Sequence, residues 1–160
     1  MKRGSTLFLK IAVFLIGTPI LALCLFGLPM VAKEAVDSYS EFAYVLYGIL
    51  IVMYISAIPF FIALYQAFKL LSYIDKNEAF AGISVKALKN IKYCAISISS
   101  FYVVGMPLFY FMAEVDDAPG IIVIGLIIIF ASLVIAVFAA VLQRLLKEAI
   151  AIKSENDLTV

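Results

Sequence analysis

Four apolar runs without a single charged side chain constrain this chain more than any other feature. They extend from Ile11 to Ala32, Phe42 to Phe68, Tyr93 to Ala113 and Pro119 to Leu142. Each reaches the roughly 20 residues that a helix needs to cross a hydrocarbon core of about 30 Å. Core strands are much shorter, and an open sheet would leave backbone groups unsatisfied in lipid. The expected fold is therefore all-α, a polytopic four-helix transmembrane bundle. Its spans lie at about 11–32, 42–68, 93–113 and 119–142, with a connecting loop at about 69–92 and a tail at about 143–160.

Composition agrees with lipid as the solvent. Of 160 residues 66% are hydrophobic and 14% charged, with a mean hydropathy of +1.14, which lies outside the soluble range and fits one membrane domain. A net charge of +1 gives no broad basic field, so direct nucleic-acid binding is not expected. The chain has no His, which removes the usual general base near neutral pH, the commonest metal ligand and the normal axial ligand of membrane haems. Cys24 and Cys94 sit far apart inside apolar runs and lack the paired spacing of a zinc or redox site, so they read as packing residues. No catalytic, metal or cofactor residue is assigned, and the chain is not expected to be an enzyme. The stretch Leu21-Ala22-Leu23-Cys24 approaches a lipoprotein signal, but Leu23 stands where a small residue is needed and the run continues to Ala32. A retained anchor is expected.

Eleven of the twelve Lys and Arg residues fall on one side of the four spans. Lys2, Arg3 and Lys10 open the first; Lys69, Lys76, Lys86, Lys89 and Lys92 lie between the second and third; Arg144, Lys147 and Lys153 follow the fourth. The other side carries Lys33 with Glu34, Asp37, Glu41, Glu114, Asp116 and Asp117. The positive-inside rule then puts both termini in the cytoplasm. Tyr39, Tyr44, Tyr47 and Tyr110 mark the outer boundary and Tyr65, Tyr73 and Tyr93 the inner one, because the ring prefers the headgroup region. Repeats of small residues, Ser132/Ala136/Ala140, Ala95/Ser99 and Ala63/Ala67, are expected to let helices approach closely. Pro19, Pro59 and Pro107 fall inside spans, where they favour kinks.

Three groups stand out as candidate sites. Ser84 is expected to cap a helix that sets Val85, Leu88 and Ile91 on one side and Lys86, Lys89 and Lys92 on the other, lying on the inner leaflet before span three. Those lysines suit anionic lipid, and also a docking surface for a cytoplasmic protein. The turn holding Glu114, Asp116 and Asp117 reads as a polar connection carrying the acidic half of the charge bias; the sharper alternative is attraction of a divalent cation or a cationic peptide. Tyr54 and Tyr102, near the middle of their spans with Ser97, Ser99 and Ser100 nearby, need hydrogen-bond partners and define a candidate intramembrane polar centre. The tail, apolar along Leu145, Leu146, Ala149, Ile150 and Ile152, suits either packing on the central loop or contact with another protein. No ionisable group lies deep in a span, which counts against proton- or ion-coupled transport.

The segment Ile74-Asp75 through Phe80, then Val85, Leu88 and Ile91 leading into span three, and the ending Glu155-Asn156-Asp157-Leu158 resemble the bacterial four-span membrane family of domain of unknown function 2975 (DUF2975). The resemblance runs over nearly the whole chain and brings no catalytic or ligand residues with it. Genes of that family often neighbour one for a small helix-turn-helix regulator. The resemblance thus implies a membrane protein that holds, or signals to, a DNA-binding partner in addition to the lipid bilayer. A small transporter or channel, a protective protein against membrane-active peptides and a structural subunit stay open as alternatives, as does homo-oligomerisation.

Overall fold

In a hydrocarbon solvent each backbone N–H and C=O has to find its partner within the protein, and a helix supplies that partner four residues away. The computed structural model describes residues 3–77 and 79–158 and is helical over almost all of them. The elements are α1 (Arg3–Ala22), a π-helical turn (Leu23–Gly27), α2 (Leu28–Ser38), a 3-10 turn (Ser40–Phe42), α3 (Ala43–Asp75), α4 (Gly82–Val115) and α5 (Gly120–Leu158). α1, the π turn and α2 form one continuous helical stretch with an apolar middle. With α3, α4 and α5 this makes four stretches long and apolar enough to cross a membrane.

Helix continues well beyond the expected spans at the basic end. The connection expected over 69–92 narrows to residues 76–81, because α3 runs to Asp75 and α4 starts at Gly82. Ser84 is not the N-cap. Ala81 holds that place in extended conformation and accepts the Ser84 N–H, while Ser84 sits fully buried in the first turn. The basic segment is likewise no separate surface helix. No Gly or Pro interrupts 83–104, so it continues coaxially into span three within one 34-residue helix. At 1.5 Å per residue α4 is about 51 Å long, roughly 20 Å more than a hydrocarbon core. α5, with 39 residues, carries the tail in the same way as far as Leu158.

α4 is the central helix. It packs along α3 on one side and along α5 on the other, whereas α1 and α2 lean on α3 and make no extended contact with α4 or α5. The four spans thus form an open arc instead of a closed bundle. Along α4 the buried Ser84, Leu88, Ala95, Tyr102, Gly105, Phe109 and Met112 follow one register, in steps of three, four or their sum of seven residues. The α5 residues Gly125, Ile129, Ser132, Ala136, Ala139 and Gln143 do the same. That 3.5-residue period is the seam of left-handed knobs-into-holes packing. It also corrects the expected Ser132/Ala136/Ala140 stripe: Ala139, not Ala140, is buried. Repeated four-residue steps turn about 40° past a full circle each time and leave the seam.

Toward the acidic end the seam is filled by Tyr102, Phe109 and Ile129 with Ile49, Val52, Ile98 and Met106 around them. The rings of Tyr102 and Phe109 stack at 5.9 Å. Gly105 brings α3 close, since a Cβ there would lie 3.0 and 3.1 Å from the two Val52 methyls. Val52 is β-branched and cannot swing clear cheaply. Gly105→Val is expected to destabilise the protein by about 1–3 kcal/mol, read as a lower midpoint in detergent unfolding. Val52→Ala in the same chain should recover most of the loss; no recovery would mean that this contact does not set the α3–α4 distance.

Candidate functional site

The first span carries a local irregularity with an identifiable cause. In the π turn Leu28 N–H bonds to the Leu23 carbonyl, five residues back. The next bond in that register would run from residue 29 to the Cys24 carbonyl, but residue 29 is proline and has no N–H to give. The orphaned Cys24 carbonyl accepts the Tyr54 hydroxyl of α3 at 2.7 Å. Sequence reasoning weighed Pro19, Pro59 and Pro107, which all lie within continuous helix, and passed over Pro29. The dipeptide Leu28-Pro29 after Gly27 was the available signal.

Tyr102 finds a different partner, so the two tyrosines do not form one hydrogen-bonded centre. Ser56 Oγ lies 3.2 Å from the Tyr102 hydroxyl and 2.8 Å from the Met53 carbonyl. Ser97, expected nearby, instead bonds back to the Tyr93 carbonyl at 2.9 Å. Beside the Ser56–Tyr102 pair a cavity of about 550 Å³ lies among all four spans. Leu23 and Cys24 of the π turn form one wall, and Ala63, Ala67, Ala95 and Ser132 form others. All four were expected to draw helices together; Ala95 and Ser132 do so in the α4–α5 seam, while Ala63 and Ala67 leave space. The first span and α5 make no extended contact with each other, so the cavity lacks a wall between them.

At the basic end Lys10 pairs with Asp75 at 2.8 Å, both about one-fifth exposed, and the Thr6 hydroxyl donates to the same carboxylate. Lys10 also lies over the Phe68 ring, 5.4 Å from its centre. This node anchors α1 to the end of α3. Among the described residues, further lysine–ring contacts at this end are Lys69 over Tyr65, Lys89 and Lys92 over Tyr93, and Lys153 over Phe80. The last one packs the tail against the α3–α4 connection. The three candidate docking lysines separate by environment. Lys92 is half-buried, with its ammonium 4.8 Å from the Tyr93 ring centre; Lys89, one turn farther along α4, is exposed and reaches the same ring at 6.0 Å, and Lys86, two turns farther, is exposed.

The acidic turn is built chiefly as a helix terminus. Ala118 N–H bonds to the Ala113 carbonyl and Asp116 N–H to that of Met112, while Asp117 adopts φ 50°. That left-handed residue closing α4, with Pro119 soon after, is a Schellman-type cap, and Asp tolerates the conformation better than most side chains. Asp116 accepts the Tyr39 hydroxyl, linking the two connections at this end, and Glu114 lies against the Tyr110 hydroxyl. Among the described residues no three carboxylates or thiols converge as metal ligands.

Fold and site together define a four-span helical membrane protein with an intramembrane cavity and a basic helical extension. The chain belongs to the family described as "Protein of unknown function (DUF2975)", whose model matches residues 30–160. That match begins just after Pro29, so most of the first span lies outside it. The chain is 71% identical, over the full length of both proteins, to "Uncharacterized membrane protein YoaS" of Bacillus subtilis (strain 168). No solved structure matches.

Tyr54→Phe is expected to cost about 1–2 kcal/mol, because it leaves a carbonyl unpaired in a low-dielectric setting. Pro29→Ala restores a backbone donor, so in a double-mutant cycle the cost of Tyr54→Phe should fall by half or more; additive losses would sink this account of the π turn. At the acidic end the hydrogen bond to Asp116 raises the Tyr39 pKa above its ordinary 10.0. A raised folded-state pKa gives stability that is fully present below pH 10 and lost as pH climbs through the raised value. Carbon-13 titration of labelled tyrosines should show Tyr39 ionising above 10, with Asp116→Asn moving its midpoint down.

Proposed function

We propose that this protein is a non-catalytic scaffold of the bacterial inner membrane, oriented with its basic end in the cytoplasm. There it docks an acidic face of a small helix-turn-helix DNA-binding regulator and holds or releases it in response to a membrane signal. The observation that carries this reading is the length of α4 and α5, 34 and 39 residues against the roughly 20 that a span needs, with Lys86 and Lys89 exposed on α4. A rigid helical face presents fixed charges at low entropic cost, which favours a specific protein partner over diffuse lipid contact. Lys92, held over Tyr93 at the level of the span, serves as an interfacial anchor. The choice of a helix-turn-helix partner rests on the gene neighbourhood that the family resemblance brings.

Binding rather than catalysis also suits the cavity, whose polar wall groups are the hydroxyls of Ser56, Tyr102 and Ser132 and the thiol of Cys24, with no carboxylate or amine among the lining residues. The reading is tested by capturing the tagged protein from its own bacterium after mild crosslinking. The helix-turn-helix protein should be recovered with the native chain and reduced roughly tenfold by Lys86→Glu with Lys89→Glu, while Lys92→Glu has a smaller effect. Equal recovery by all three forms, or recovery of lipid alone, overturns the docking role. Solute flux through reconstituted liposomes would then point to a transporter or channel.

A further inference from the structure

Protein interiors pack densely, and a space of about 550 Å³ in the middle of a small membrane protein needs an explanation. Its size falls within the range of roughly 300–1,000 Å³ typical of small-molecule sites. Ala57, Ala63, Ala67 and Ala95 keep it clear where larger side chains would fill it. Ser132 supplies a second, independent observation. It is 7% exposed, it lines the cavity, and it has no hydrogen-bond partner among the described residues. Serines in membrane helices usually turn back to a carbonyl of the preceding turn, as Ser56, Ser72 and Ser97 do here. Ser132 leaves its hydroxyl to the cavity.

The wall limits what can occupy this space. No Asp, Glu, Lys or Arg is among its lining residues, so a charged group brought to this depth would lack a counter-ion and lose its hydration. Apolar side chains make up the rest of the wall, and the missing side between the first span and α5 faces the bilayer.

We propose that the cavity binds one neutral single-chain amphiphile, a hydrocarbon chain bearing a hydroxyl or carbonyl group. It enters sideways from the bilayer between the first span and α5 and sets its polar group on Ser132. The Tyr102 hydroxyl, held by Ser56, lines the same cavity from the neighbouring α4 as the second polar contact. This site goes beyond the docking role and is read on the isolated protein with no partner present, so either can fail without the other.

The test uses the full chain in nanodiscs of phosphatidylethanolamine and phosphatidylglycerol, with a photoreactive hexadecanol carrying a mid-chain diazirine. Adducts are expected on the peptides holding Ala57 to Ala67, Ala95 to Tyr102 and Ile128 to Ile135. Unlabelled hexadecanol should displace the probe about tenfold more effectively than hexadecane or hexadecyl sulfate. Ser132→Ala should weaken that displacement by roughly threefold to tenfold, the worth of one neutral hydrogen bond, and Ala95→Leu should block labelling by filling the space. If Ala95→Leu does not fold, Ser132→Ala, which removes a single oxygen, still decides the matter. Two outcomes overturn the proposal. One is adducts spread over the lipid-facing Phe14, Phe130 and Phe138. The other is hexadecane competing as well as hexadecanol with Ser132→Ala unchanged, which would mean that bulk lipid tails occupy the cavity.

Discussion

Inside a bilayer no water is available to a backbone carbonyl that loses its helical partner, and much of this molecule's detail answers to that constraint. It makes helices of nearly every residue and sends α3, α4 and α5 on as uninterrupted rods. Where Pro29 withholds a donor, the helix widens by one residue and Tyr54 reaches from α3 to supply the missing proton. The link between the first span and the rest of the protein is therefore partly polar, at Cys24 in the middle and at Asp75 near the basic end. Between those points a cleft of about 420 Å³, lined by Phe14, Gly17, Leu64 and Phe68 among others, shows how lightly α1 is seated on α3.

α3, α4 and α5 are joined in another way. Lipid gives little hydrophobic drive for helix association, so contact has to come from shape. A 3.5-residue seam on both α4 and α5 provides it, with Gly105 and Gly125 permitting close approach. The result is a firm three-helix core with a more loosely attached first span, and the cavity lies where the two parts face each other.

Much of this was legible in the sequence. Charge-free runs of spanning length locate the four spans, and the unequal distribution of lysines separates a basic from an acidic end, because both are properties of contiguous stretches. Pairings between distant residues were not legible: Lys10 meets Asp75 across 65 positions and Ser56 meets Tyr102 across 46, and neither side chain announces its partner. Ala63 and Ala67 misled for a physical reason, whereas Ala95 and Ser132 sit in the close-packed α4–α5 seam as well as edging the cavity. A small side chain permits either close packing or empty space, and only the positions of the neighbouring helices decide between them. Ser84 misled because a serine before an amphipathic run suits an N-cap and a buried first turn equally well.

One continuous helix connects the two regions of interest. Tyr102 at the cavity wall and Lys86 at the basic end are sixteen positions apart on α4, about 24 Å of unbroken rod. Pro107 lies beyond Tyr102 on the acidic side, so no proline softens the stretch between them. The seam holds α4 between α3 and α5 along that whole length, so the exposed lysines keep a fixed position relative to the cavity wall, with no hinge between them.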